Sequence, residues 1–287
     1  MIDFRYHLVS IIAVFLALAV GLAVGSTALT GTAEQALTAA QHRLTGQNRA
    51  LTKQNGMQQK QLAADQAFAQ ANSARLLAGL LPGKRVVLVA APGADPTVTS
   101  GLSTALREAG ATVTGQVSLT SAFTTTSGQN EAKLSVLARD LASTAGLAVT
   151  AHPSSTVTGQ DDAAQVLSAS IVAGSASLTS SASEAILAGF SQQGFISVSG
   201  QPGSVPPADL AVLVTPAGPL SQPSESDVLL AVARELKSTG SATVMAGAVS
   251  SIGSDSVIAA ENNAGNVSTV DNADTETGQN MVVQAQE

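Results

Sequence analysis

The stretch RVVLVAAPGADPTVTSGLSTALREAGATVTGQVSL, residues 85–119, decides the fold. Its first part, Arg85 to Ala91, is a short apolar run set off by Pro82-Gly83, the composition of a parallel strand buried on both faces. Between Thr97 and Ala109, the residues Leu102, Ala105, Leu106 and Ala109 recur at helical spacing, and Gly110 closes the run. Ala111 to Leu119 reads as a second strand. Strand, helix and strand in that order and at that length make a βαβ unit.

The pattern continues toward the C-terminus. Helices are expected over Glu131–Thr144, Asp161–Ala173 and Ser183–Gln193, with Thr/Ser-rich links between them. Short strands follow at Phe195–Val198 and Asp209–Thr215. Ser224–Ser238 places Val228, Leu229, Val232 and Leu236 on one helical face and stops at Gly240. Strands at Ser241–Val249 and Asn266–Val270 and a helix at Thr277–Gln286 complete the chain. The expected class is α/β: a doubly wound, mostly parallel sheet with an additional helical middle section. An N-terminal transmembrane helix and a Gln-rich, coiled-coil-like helix precede it. The domain boundaries read as 1–30, 31–82 and 83–287.

From Leu8 to Leu29 there is no charged side chain. As a helix this segment rises about 33 Å, enough to cross a hydrocarbon core of about 30 Å. Ala13, Ala17, Gly21 and Gly25 recur every four residues, a smooth face on which two membrane helices can pair. Arg5 precedes the segment, and Arg43 is the first basic residue after it, which keeps the N-terminus cytoplasmic and puts the rest of the chain outside. The apolar run exceeds a signal-peptide core of about 7–15 residues, so it reads as an uncleaved anchor, with a cleaved signal as the rival. Either way the body of the protein is extracytoplasmic. One such segment is an anchor, not a pore wall.

A Gly–Thr turn is expected at Thr30 to Thr32, then a helix rich in Gln and Ala over residues 33–80. Leu37, Leu44 and Leu51 are spaced by heptads, as are Leu62, Ala69 and Leu76; the step from Leu51 to Leu62 implies a four-residue insertion. Ala40, Gln47 and Gln54 then fill the second core column. A parallel coiled coil fits this pattern, as does a single helix packed on the later domain. A parallel pair agrees with the small-residue face, and the two together point to a homo-oligomer.

Net charge is −7, which argues against nucleic acid as a partner, because neutralising phosphates takes clustered Lys and Arg. The absence of Cys removes disulfides, thiolate metal sites and Cys nucleophiles. Tyr6 is the only Tyr and there is no Trp, so the core must be built from aliphatic residues.

Ligands of such sheets bind beyond the carboxyl ends of the strands. Pro92-Gly93-Ala94-Asp95 sits there but lacks GxGxxG and GxxxxGK[ST], and Asp95 is placed to cap a helix at Pro96. Asp271-Asn272-Ala273-Asp274-Thr275-Glu276 carries carboxylates that suit a hard cation; helix capping accounts for the same residues. Thr215-Pro216-Ala217-Gly218-Pro219 reads as a rigid turn. Of His7, His42 and His152, only His152 lies in the α/β part, and no Ser stands in GxSxG, so no enzyme is expected. The metal-ligand candidates are Asp95, Asp271, Asp274 and His152.

The opening MIDFRYHLVSIIAVFLALAVGLAVGS resembles the start of the mycobacterial copper transport protein B (MctB) family of actinobacteria. VSTVDNADT, Val267 to Thr275, resembles that family's C-terminal region. The resemblance implies a copper-transporting role in copper homeostasis, an outer-membrane assignment and a copper ion as the metal. The residues themselves offer no thiolate, and Met57, Met245 and Met281 are far apart in the chain. The strands are short and apolar with helices between them, unlike the alternating strands of about 9–11 residues in a membrane barrel. The expectation is therefore a membrane-anchored extracytoplasmic protein of the copper transport protein B type, aiding copper homeostasis or export with envelope partners and no conduit of its own. The alternative is a non-catalytic cell-envelope scaffold or binding protein without a direct copper site.

Overall fold

A computed structural model describes residues 4–150, 155–174, 178–199, 205–218, 220, 222–251 and 256–287. The chain forms two compact units, Met1–Ala64 and Asp65–Glu287. Helix α1 spans Phe4–Leu77. The turn expected at Thr30–Thr32 does not form, and the backbone stays helical through it. One glycine costs a helix about 1 kcal/mol, and without proline or a competing cap the hydrogen-bonded ladder propagates across it.

In the first unit, Tyr6–Gly25 is long and apolar enough to cross a membrane, and none of it is buried. Leu37, Leu44, Leu51 and Leu62 are all more than half exposed on α1.

In the second unit, α1 ends against the α/β body. Ser73 Oγ donates to Asn280 Oδ1 at 2.8 Å, and Leu77 and Leu81 are buried. The remaining elements are β1 (Arg85–Ala90), α2 (Pro96–Glu108), β2 (Thr112–Leu119), α3 (Ser121–Thr124), α4 (Gly128–Ala145), α5 (Thr158–Ile171), α6 (Ser180–Gln192), β3 (Ile196–Ser199), β4 (Leu210–Val214), α7 (Pro223–Ser238), β5 (Ala242–Ala246), α8 (Val257–Ala264), β6 (Ser268–Val270) and α9 (Glu276–Gln284).

The six strands form one sheet in the order β3-β2-β1-β4-β5-β6. All neighbours are parallel except β3, which runs antiparallel to β2. Strands β1 and β4 are apolar on both faces because both faces are covered. Val86, Leu88, Val212 and Val214 pack with Leu77, Leu81, α2 and α9. Val87, Val89, Ala211 and Leu213 pack with α3 to α8 on the opposite face. The architecture is the doubly wound α/β sheet expected from the sequence, with α3 to α6 as its helical middle section.

Among the described residues, two α-helices have no counterpart in the sequence expectations. Helix α3 is a single turn. Helix α8 is short, yet its signals were present: Ser256 Oγ accepts from Ala259 N at 3.1 Å, and Gly265 closes the helix in the left-handed conformation. Its weak apolar face hid it.

Helix α5 lies among α4, α6 and α7 with most of its surface covered. Asp161 and Asp162 on it are buried, and arginines from both flanks meet them. Arg234 Nη2 lies 2.6 Å from Asp161 Oδ1, and Arg139 Nη2 lies 2.9 Å from Asp162 Oδ2. Phe190 on α6 is fully buried in the core on this face. Phe190→Ala is expected to destabilise the domain by about 3–5 kcal/mol, read as a lower urea midpoint for the detergent-solubilised chain.

Candidate functional site

The strand order reverses between β1 and β4, so the loops at their carboxyl ends flank the topological switch point where doubly wound folds take ligands. Here the loops bind each other. Ala217 N donates to Gly93 O at 3.0 Å, and Ala91 N donates to Val214 O at 2.9 Å. Gly93 adopts φ +76°, and a Cβ added there would lie 3.9 Å from Pro216 Cβ. The same zipper runs on across the sheet, from Thr215 N to Ala246 O at 2.8 Å and from Gly247 N to Val270 O at 2.8 Å.

The N-terminus of α2 is also taken. Asp95 Oδ1 accepts from Thr97 N at 2.8 Å and from Thr97 Oγ1 at 2.7 Å. The Thr97 hydroxyl and then its amide hold the Asp95 carboxyl below the usual carboxylate range. A fixed carboxylate at this helix end repels the phosphate that such an end otherwise attracts.

The second carboxylate group follows β6. Asp274 Oδ1 accepts from Val249 N at 3.0 Å and so ties the α9 entry to the loop after β5. Thr275, not Asp274, caps α9: its Oγ1 accepts from Gly278 N at 3.0 Å. Asp271 is exposed, and Glu276 opens α9, where its charge complements the helix dipole. Asp95 follows β1 and Asp271 follows β6, and β4 and β5 lie between those two strands in the sheet. Among the described residues, no three His, Cys, Asp or Glu side chains form a group that could hold a metal ion. His152 lies outside the described residues. Met245 is buried on the face covered by α3 to α8, whereas Met281 is exposed on α9 at the other face.

Clefts open on the flanks. One of about 570 Å³ lies between α7 and Ser155–Val157, lined by Asp227 and Arg234. Another, of about 340 Å³, separates Thr99, Ser103 and Arg107 on α2 from Gln116 on β2 and Ser199 on β3. These cleft residues form no motif in the sequence; the adjacent acids Asp161 and Asp162, the two charges on α5, were the signal of the ion pair that Arg234 makes beside the first cleft.

The family model described as copper transport outer membrane protein, MctB, matches residues 1–287. The chain belongs to the MctB family. Similar curated proteins are named copper transporter MctB, from Mycobacterium tuberculosis and Mycobacterium bovis. Each is 29% identical over 301 residues, spanning 99% of this chain and 92% of its own length. This agrees with the resemblance read from the opening segment and from Val267–Thr275. Family membership supports a copper transport protein with an N-terminal apolar helix.

At the amino ends of β1 and β4, Arg85 Nη2 lies 2.7 Å from Asp209 Oδ1, and Arg85 N donates to Asp209 Oδ2 at 3.0 Å. Hydrogen bonding from Arg85 holds the Asp209 carboxyl below its usual value, against the opposing effect of burial. A lowered carboxylate stabilises the fold above its unfolded value near 3.9 and loses that contribution as pH falls through the folded value. The pair is partly solvated, so at pH 7 Asp209→Asn is expected to cost only about 0.5–1 kcal/mol. Urea titrations of both chains should converge as the pH drops below about 4.

Proposed function

We propose that the chain is a single-span membrane protein whose α/β domain lies on the extracytoplasmic side and contributes to copper homeostasis or export. The observation that carries this reading is the length and apolar composition of the helix Tyr6–Gly25, none of which is buried. Lipid is the solvent that such a surface fits. The basic residues flanking it support the orientation, with Arg5 before and Arg43 after. The copper role comes from the family and from the mycobacterial relatives named as copper transporters. Copies associate through the small-residue face of residues 8–29 and through a coiled coil seamed by Leu37, Leu44, Leu51, Leu62 and Leu76, and envelope proteins complete the assembly. The domains are an anchor (1–30), a stalk helix (31–82) and the α/β body (83–287).

A second reading has its own support. Asp95 and Asp274, two of the metal-ligand candidates, are spent on backbone N–H groups. That favours a non-catalytic envelope scaffold that serves copper tolerance without binding the ion. Equilibrium binding to the solubilised chain separates the two: uptake at micromolar copper supports a direct site, and none supports the scaffold. For the shared part of the proposal, fractionation should find the chain with membranes, and a deletion strain should be more copper-sensitive than its parent. Unchanged sensitivity would count against any copper role.

A further inference from the structure

Residues 37–57 of α1 divide into three consecutive units, LTAAQHR, LTGQNRA and LTKQNGM. Each opens with Leu-Thr, and each carries an amide side chain four residues after its leucine: Gln41, Asn48 and Asn55. On a helix, positions three and four apart share a face, so leucines and amides form two columns of one stripe. With the leucines at heptad position d, the amides stand at a. Gln58 and Leu62 extend the d and a columns without any insertion, leucine passing from one column to the other. This register replaces the four-residue insertion implied by the leucines alone. The whole stripe, Leu37 to Leu62, covers an arc of about 100° and is exposed.

Charge says what covers it. Between residues 35 and 64 the charged side chains are Arg43, Arg49, Lys53 and Lys60, all basic. In this register all of them fall at the outer positions b, c and f. The flanking e and g positions hold Thr38, Thr45, Thr52 and Gln59, and Ala40, Gln47, Gln54 and Gln61, none charged. A partner selected by charge would be met by charge on these flanks. Between residues 35 and 64 every charge is positive and lies away from the seam, so two copies meet there without repulsion; Glu34 and Asp65, which fall at a and d, mark the two ends of that stretch. The amides add a second argument. A side-chain amide both donates and accepts, so an identical amide across the seam satisfies it when the two copies are parallel and in register. Asn at a among Leu at d selects two strands.

We propose that α1 pairs with α1 of a second copy in a parallel, in-register, two-stranded seam in which Gln41, Asn48 and Asn55 each meet their own counterpart. This rests on the reading of the chain as an anchored oligomer and specifies its geometry. The chain contains no cysteine, so single cysteines report proximity directly. In membranes holding the full chain, mild oxidation should link Asn48→Cys and Asn55→Cys roughly fivefold faster than Gln47→Cys and Gln54→Cys, with Lys53→Cys slowest. The wild-type chain in mild detergent should have the mass of two copies by light scattering. Faster linkage at Gln47 and Gln54 would overturn the register, equal rates at Asn48 and Lys53 would overturn the seam, and a mass of three or more copies would overturn the pair. A chain found outside the membrane fraction refutes the anchor; a membrane-bound chain that does not link at Asn48 refutes this pairing alone.

Discussion

Strand β1 has no face that water can occupy. Val86 and Leu88 point to one side and Val87 and Val89 to the other, and all are buried. A strand of this kind is stable only in the interior of a sheet with helices on both faces. That requirement puts β2 on one side of β1 and β4 on the other. It also puts α2, α9 and the end of α1 over one face and α3 to α8 over the other. The reversal of strand order beside β1 follows, and with it the switch point at which related architectures bind ligands.

In this chain the switch point is filled by the protein itself. Gly93 O and Ala217 N join the two loops, and Asp95 occupies the positive end of α2. Both use up groups that a phosphate-bearing ligand would need. The carboxylates after β6 are likewise divided between backbone capping and open solvent. The buried charges of the domain serve cohesion: Arg234 and Arg139 clamp α5 to its neighbours through Asp161 and Asp162. Removing the arginine of such a pair leaves a buried carboxylate without its cation, which makes the arrangement costly to break from that side even where it adds little net stability.

The first unit follows different physics. Its apolar N-terminal turns are not buried, and the helix beyond carries leucines and amides on one exposed stripe with its positive charge turned away. The two surfaces call for different surroundings. Residues 6–25 suit hydrocarbon, whereas the amide-rich stripe suits an aqueous partner able to return hydrogen bonds.

By itself the sequence determined the apolar N-terminal segment, the long Gln-rich helix, the α/β class and most strands and helices, because these depend on composition and on periodicities of 3.6 and 2 residues that a local window contains. Capping was also legible where the signal was local, as with Asp95 before Pro96. The continuity of α1 through Thr30–Thr32 was not, because a helix once nucleated overrides weak local breakers. Only the tertiary structure decided that β3 runs antiparallel, that Asp274 serves a backbone amide 25 residues away in the chain, and that the loops after β1 and β4 close on each other. These outcomes depend on which segments the sheet brings side by side. Strand order is set by the packing of the whole chain rather than by any stretch of it.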